Sequence, residues 1–437
     1  MQFIDLAAQQ RRIKDRLDAR IRAVLAHGQY VMLGPEMQAE VRELEERLAE
    51  YVGVRHAISC ASGTDALLLA LMAHGVGPGD AVFTTPFTFV AAAEVISLLG
   101  ATPVFVDIDP TTFNLDPAHL ALAIEALNRG DSSICPLPSF RSAIRHPPSN
   151  AVVSPPPAPV VPSPVPNLQS AIRNPQSGGA PLSALRSPLV PRGVIAVDLF
   201  GLPADYDRIN AVAGENGLFV IEDAAQSFGG QYKARRACAL AEVACTSFYP
   251  TKPLGCYGEG GACFTGNKEI ADVMRSLRNH GAGENRYDHV RIGINGRLDT
   301  LQAAILLAKL EIFPEELEDR QAVAARYHEL LAPCASRLTS PNVPSGRRSA
   351  WAQYSVLACD EAHRLALLDR LKAAEIPTAI NYRKPLHMQP AFAHLGYQGG
   401  DFPVSESTAR RIFSLPMHPY LSEGDQRRIA ELLLKGA

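Results

Sequence analysis

Two short runs carry the residue types best suited to covalent chemistry: EDAAQ (Glu222–Gln226) and SFYPTK (Ser247–Lys252). Taken singly, each has an ordinary reading. An acid at the end of an apolar strand caps a helix or pairs with a cation, and a loop lysine is a solvated charge. Taken together they suit one chemistry. Pyridoxal phosphate needs a lysine to hold it as a Schiff base and a carboxylate to keep its pyridine nitrogen protonated, so that the ring can take up electrons. The lysine must also lose its proton readily, which burial beside an apolar wall promotes. Pro253 biases Lys252 away from helix, so a turn presents the side chain. The GEGGACFTG run that follows supplies glycines for close backbone approach.

Such a cofactor also needs an anion cradle and a wall for its ring. Ser62-Gly63-Thr64-Asp65 stands at a strand-to-helix junction, where backbone N–H groups and a helix N-terminus meet a phosphate. Small polar residues cap many helices, so this motif is informative only beside the other two. Phe87 and Phe89 follow the strand-like run DAVFTTP. Either is placed to stack on a ring, and either also reads as core.

The elements that must position these groups alternate in type. Val41, Leu44, Leu48 and Val52 recur at helical spacing. HAISC then reads as a strand and SGTDALLLALMAHG as a helix opened by Ser62, Gly63 and Thr64. DAVFTTP and TPVFVDID are further strands, and DPAHLALAIEAL is a helix opened by Asp116 and Pro117. Strand VIAVDLFG, helix ADYDRINAVAGENG and strand LFVIEDAA follow. Continuous apolar strands separated by helices predict an α/β fold with a mostly parallel sheet covered on both faces. Ligands in such sheets bind beyond the carboxyl ends of the strands, which gathers SGTD, EDAAQ and SFYPTK around one crevice. From about residue 311 to 437 the pattern changes to a smaller α+β domain: helix EELEDRQAVAARYHELL, strand SAWAQYSVLA, helix HRLALLDRLKAAEI, strand PTAINYRK and a closing helix.

The large domain, residues 1–310, is interrupted at 129–193, where 15 prolines fall in segments such as SPPPAPVVPSPVP. SAIRHPPS (Ser142–Ser149) and SAIRNPQS (Ser170–Ser177) form an internal near-repeat there. With few apolar side chains and many residues unable to join a ladder, the segment is expected to be disordered or polyproline-like. An inert surface insertion is the simpler expectation, and proline-rich docking to a partner the functional one.

Composition excludes several classes. The 437 residues are 47% hydrophobic and 20% charged, ordinary for a globular protein. A net charge of −3 gives no electrostatic reason to expect nucleic acid or an anionic membrane as partner. No apolar run reaches the roughly 18 residues that span a bilayer. MQFIDLAAQQRR lacks the apolar core of a signal peptide, so a cytoplasmic location is expected. The eight cysteines form no C-x-x-C pair, and four lie in or beside strand-like runs. They read as free buried thiols, not as a zinc site.

Across nearly the whole chain apart from 129–193, the sequence resembles the DegT/DnrJ-type sugar aminotransferases, which have the aspartate-aminotransferase fold (fold type I). The motifs that carry the resemblance are FIDL, SGTDAL, GPGDAVFTTPFTFVA, PVFVDIDPTTFNLDP, IEDAAQSFG, SFYPTKPLGCYGEGG, RNHG, GRLDTLQAAIL and SLPMHPYL. It implies that Lys252 is the Schiff-base lysine and proton shuttle, and that Asp223 pairs with the pyridine nitrogen. Gln226 is then expected at the ring face near its hydroxyl. Gly63, Thr64 and Ser247 would bind the phosphate, and Phe89 would stack on the ring. Asn295, from GINGRLD, would reach the cofactor phosphate of a neighbouring subunit, which implies a homodimer with shared sites.

Within the family, CTSFYPTKPLGCYGEGGACFT and RLDTLQAAILLAKLEIF bring the chain nearest to enzymes that aminate UDP-2-acetamido-2-deoxy-3-oxo-glucuronate with L-glutamate. Those enzymes carry His-Tyr where this chain has Asn381-Tyr382, near the substrate. Arg286, after RNHG, is a candidate for holding a sugar carboxylate or diphosphate, with a solvated arginine as its ordinary reading. The implied reaction is ping-pong: glutamate leaves its amino group on the cofactor and a UDP-keto-sugar collects it, for surface polysaccharide. The rivals are another UDP- or dTDP-keto-sugar as acceptor, a sugar dehydratase on the same fold, or a non-catalytic sensor or regulatory protein. Dehydratase relatives replace the lysine that is present here, and no basic stripe supports DNA binding.

Overall fold

The computed structural model describes residues 1–31, 38–139, 188–285 and 287–435. Its centre is a seven-stranded sheet. The strands are β1 (His56–Cys60), β2 (Asp80–Thr84), β3 (Thr102–Phe105), β4 (Val190–Val197), β5 (Phe219–Asp223), and, after a small hairpin of β6 (Gln231–Tyr232) and β7 (Arg235–Arg236), β8 (Val243–Ser247) and β9 (Gly261–Thr265). The order is β1-β9-β8-β5-β4-β2-β3. Pairs from β8 through β3 are parallel, and β9 runs antiparallel to both its neighbours. The expected mostly parallel sheet is therefore present, with one reversed strand. Because β9 reverses twice over, β1 points the same way as β8, so Cys60, Thr84, Val197, Asp223 and Ser247 all end at one edge of the sheet.

Helices cover both faces because the strands have no polar face to leave in water. The chain opens with α1 (Leu6–Arg12), α2 (Lys14–His27) and α3 (Ala39–Val52), followed by α4 (Gly63–Ala73), α5 (Ala91–Leu98), α6 (Pro117–Arg129), α7 (Tyr206–Glu215), α8 (Lys268–Arg278) and α9 (Thr300–Leu310). On one face, Leu67, Leu71, Val95 and Met274 of α4, α5 and α8 pack on Val82, Ile195 and Ile221. On the other, the helical stripe Val41, Leu44, Leu48 and Val52 meets Leu306 and Leu310 of α9 over Phe264. Beyond them Leu120 and Ile209 of α6 and α7 cover Phe83, Val104 and Val194. Fully burying each such side chain stabilises by about 1.5–3 kcal/mol. The start signals read from sequence act as expected. Ser62 accepts from the Asp65 N–H at 3.0 Å, and Asp116 caps α6 from the Ala118 N–H at 2.7 Å.

Helix α10 (Phe313–Leu331) links two cores: Phe313 and Leu317 join the first, Val323 to Leu331 the second. That second core lies against a three-stranded antiparallel sheet, β10 (Leu338–Thr339), β12 (Tyr354–Ala358) and β13 (Ile412–Leu415), while β11 (Arg347–Arg348) joins the hairpin β6–β7. Helices α11 (Glu361–Ala373), α12 (Pro403–Arg411) and α13 (Glu423–Leu434) complete the chain. One expected element is absent. PTAINYRK makes a single bridge, Ala379 to Ser414, and then turns away from the sheet at Asn381.

The margins of the proline-rich segment differ from the expectation of disorder from residue 129 on. Cys135, Leu137 and Leu189 pack against the core under α6, and the Ser139 N–H donates to the Leu395 carbonyl at 2.8 Å. Val190 already belongs to β4, its N–H bonded to the Gly79 carbonyl at 3.0 Å. The octets at 142–149 and 170–177 lie outside the described residues. Among the described residues, no helix is long and apolar enough to cross a membrane.

Candidate active site

Strand β5 ends in two acids that alternation sends to opposite faces. Glu222 turns to the side of residues 238–240, accepting from the Cys238 N–H at 2.6 Å and the Leu240 N–H at 2.8 Å. Asp223, 7% exposed, accepts from the Ala225 N–H at 3.1 Å and faces Lys252. The turn that carries Lys252 is closed by the Lys252 N–H to the Tyr249 carbonyl at 2.9 Å. Desolvation pushes the Asp223 carboxyl up, against the Ala225 N–H and the Lys252 charge. Desolvation also pushes the Lys252 ammonium down, against the pull of Asp223. A half-buried amine that gives up its proton readily thus faces a buried acid.

Beside this pair lies an anion cradle. The first helical bond of α4 runs from the Ala66 N–H to the Ser62 carbonyl, so Gly63 and Thr64 sit in the first turn, whose N–H groups have no partner within the helix. Ser247, buried at the end of β8, presses against this turn: a Cβ added to Gly63 would stand 2.6 Å from the Ser247 Cβ. A Cβ on Gly261 would meet the Ser62 carbonyl oxygen. The glycines are required because two backbones approach with no room for a side chain.

The third wall is aromatic. Phe87 is buried, edge-to-face with Phe200 at 6.5 Å and with Tyr382 at 6.1 Å. Phe89 is 55% exposed. Gln226 joins Phe200 to Tyr382, its Oε1 accepting from the Phe200 N–H at 2.9 Å and its Nε2 donating to the Tyr382 hydroxyl at 3.4 Å. Burial pushes the Tyr382 hydroxyl well up, so it stays protonated. Asn381 is half-buried beside it. The Leu386 N–H, bonded to the Pro86 carbonyl at 2.7 Å, fixes this segment over the wall.

The structure thus brings Gly63, Thr64, Asp223, Gln226, Ser247, Lys252 and Tyr382 to one crevice. Asn295 is exposed on its rim, in a hollow of about 360 Å³ shared with Ala61, Glu259, Arg297 and Gln302. Its side-chain oxygen accepts from Arg297 Nε at 3.0 Å, and the next residue's carbonyl holds the Ala61 N–H at 2.9 Å. Arg286 lies outside the described residues.

Sequence reasoning missed Asp198, at the end of the run VIAVD. It is fully buried, and its N–H donates to the Asp223 carbonyl at 3.0 Å. Its carboxyl meets the Ser227 hydroxyl at 2.6 Å, the Tyr206 hydroxyl at 2.8 Å and the Ala204 N–H at 2.9 Å. Desolvation, with Asp223 adding to it and the hydrogen bonds opposing it, pushes that carboxyl up to about 7. An acid closing a buried apolar strand was the available signal.

These residues fit pyridoxal phosphate: a first-turn cradle that only glycine permits for its phosphate, a buried acid for its ring nitrogen, and an easily deprotonated lysine for its aldehyde. Comparison with known proteins agrees. The model of the DegT/DnrJ/EryC1/StrS aminotransferase family matches residues 11–133 and 185–434, passing over the proline-rich segment. The chain is 44% identical to the UDP-2-acetamido-2-deoxy-3-oxo-D-glucuronate aminotransferase of Pseudomonas aeruginosa, over 99% of each chain. It is 35% identical to a pleiotropic regulatory protein of Geobacillus stearothermophilus, over 98% of this chain and 96% of that one. A crystal structure of a DegT DnrJ EryC1 StrS aminotransferase from Brucella abortus superposes with a TM-score of 0.82 at 45% identity, covering 100% of this chain and 99% of that one. The chain therefore belongs to the DegT/DnrJ/EryC1/StrS aminotransferase family, has its fold-type-I architecture, and is a pyridoxal-phosphate-dependent aminotransferase.

Proposed function

We propose that the protein transfers the amino group of L-glutamate to a UDP-linked 3-keto-sugar, UDP-2-acetamido-2-deoxy-3-oxo-glucuronate being the acceptor, and so supplies an amino sugar for surface polysaccharide in the cytoplasm. The observation that carries this reading is Lys252 facing Asp223 beside the Ser62–Thr64 cradle. The likeness to the Pseudomonas aeruginosa enzyme supports the choice of acceptor.

The cofactor, when bound, supplies a ring able to take up the electron pair released at the amino donor's Cα. Asp223 holds a proton at the ring nitrogen, which a buried carboxylate does best when no water competes. Lys252 bears the cofactor and then moves the proton from the donor's Cα. Gly63, Thr64 and Ser247 would bind the phosphate, Phe89 would stack on the ring, and Gln226 would lie at the ring face near its hydroxyl. Asn381, Tyr382 and Arg286 meet the sugar nucleotide. The small domain, from about residue 311, carries the Asn381-Tyr382 wall.

A homodimer with shared sites fits the rim. Tyr287, Val290 and Ile292 are 79%, 62% and 88% exposed in the segment leading to Asn295, and apolar clusters of this kind mark contact surfaces. The acceptor is tested by offering amino-loaded enzyme a panel of UDP- and dTDP-keto-sugars. Fastest return of the visible chromophore is expected with the UDP-3-keto-uronate, and a clear preference for another sugar would replace it.

A further inference from the structure

Helix α9 faces the loop that carries Lys252 with two polar side chains that the chemistry above does not use. Gln302 and Lys309 are seven residues apart, two helical turns, and so share a face. The Gln302 Oε1 accepts from the Tyr257 N–H at 2.9 Å. The Lys309 Nζ donates to the Gly255 carbonyl at 2.6 Å and stands 4.3 Å from the centre of the Tyr257 ring.

Lys309 is 1% exposed, and among the described residues no carboxylate is in ion-pair contact with it. Burial pushes its ammonium down to about 8, against the pull of Cys256 and Glu316. A buried cation whose partners are one carbonyl and one aromatic face is costly to keep. Its helix neighbours Ile305 and Ala308 pack among Ile13, Leu17 and Ile312, where an apolar residue would suffice for packing.

What Lys309 grips explains the exception. Gly255 belongs to a turn with no slack, since a Cβ there would stand 2.6 Å from both the Tyr249 and Pro250 carbonyl oxygens. The same turn is tied by the Lys252 N–H to Tyr249 and by the Cys256 N–H to the Phe248 carbonyl at 2.7 Å. Holding the Gly255 carbonyl and the Tyr257 N–H from one rigid helix therefore fixes where the backbone of Lys252 lies.

We propose that Lys309 and Gln302 are positioning residues for Lys252, clamping the 249–257 turn to α9 so that the Lys252 amine stays aimed into the crevice. This rests on the reading of Lys252 as the cofactor-bearing amine. Misplacement by about 1 Å is enough to cost on the order of 100-fold in rate.

The test compares wild type, Lys309→Met and Gln302→Ala. Cofactor-free protein is given pyridoxal phosphate, and covalent uptake at Lys252 is followed by visible absorbance, borohydride trapping and peptide mass. Thermal melting and kcat and KM for glutamate are measured on the loaded enzymes. A cooperatively melting Lys309→Met protein is expected to take up the cofactor at least about tenfold more slowly and to lose kcat with KM within about twofold. Wild-type uptake and wild-type kcat in that folded variant would overturn the proposal. Should Lys309→Met fail to fold, Gln302→Ala is judged by the same two readouts. Uptake needs no substrate, so a wrong acceptor sugar leaves this result intact. Trapping of wild type on a lysine other than Lys252 would remove both the site reading and the clamp.

Discussion

At the scale of single residues, two buried acids stand at the ends of neighbouring strands, and the proposed chemistry uses one of them, Asp223. Asp223→Asn should lower kcat for the glutamate half-reaction by about 100-fold or more, since an amide does not hold a proton on the ring nitrogen. Stopped-flow absorbance checks this, and retention of most activity would exclude that role. Asp198 gives a pH-dependent prediction. Its folded carboxyl, pushed up to about 7, stands above the ordinary 3.8, so the folded chain holds a proton that the unfolded chain has released. The stability it contributes is complete below about pH 4 and is lost as pH rises through 7. Relative to wild type, Asp198→Asn should therefore gain melting temperature between pH 4 and pH 8, and an unchanged difference would contradict the assignment. Asp223 and Lys252 could be singled out in the sequence because EDAAQ and SFYPTK, each ordinary alone, together suit one chemistry. Asp198, Gln302 and Lys309 could not. Their contacts come from strand register and from a helix some fifty residues away from the loop it touches, neither of which local spacing encodes.

At the scale of elements, helix stripes, caps and apolar strands were legible, because each has a period and a terminus written in its own residues. The segment PTAINYRK misled. Its β-branched and aromatic residues satisfy strand propensity, but after the one bridge at Ala379 the chain turns away, and the Leu386 N–H is held by the distant Pro86 carbonyl. The proline-rich segment was legible as an interruption and not in its limits, since Cys135 to Ser139 find partners only in the fold. Its two ends also lie at opposite edges of the sheet. Ser139 meets residues that pack on Phe105, at the carboxyl end of β3, whereas Val190 begins beside Gly79, before β2. Replacing 140–187 with about a dozen Gly/Ser residues, which extend to about 40 Å, should keep cofactor binding and turnover. Closure entropy favours the shorter loop by about 1 kcal/mol, since each halving is worth about 0.6. A slightly raised melting temperature is expected. A soluble, folded variant without sugar amination would mean that the segment acts in the reaction.

At the scale of the whole molecule, the proposed homodimer rests on the rim holding Asn295 and on the exposed side chains of Tyr287, Val290 and Ile292. If each site takes Lys252 from one chain and Asn295 from the other, mixing Lys252→Ala and Asn295→Ala subunits should restore activity. One site of the mixed dimer would then carry both lesions and the other neither. Recovery absent from verified mixed dimers would place Asn295 in its own chain's site, beside Ala61, instead.

The most direct test of the central claim, that Lys252 opposite Asp223 is an aminotransferase site, is the glutamate half-reaction with trapping. Wild-type protein loaded with pyridoxal phosphate is reduced with borohydride before and after L-glutamate, and the adduct is mapped by peptide mass. Wild type is expected to carry an adduct on Lys252 before glutamate and to lose it afterwards with one equivalent of 2-oxoglutarate released, and Lys252→Ala to give neither adduct nor 2-oxoglutarate. An adduct on another lysine, or a Lys252→Ala protein that still releases 2-oxoglutarate at the wild-type rate, would contradict the claim.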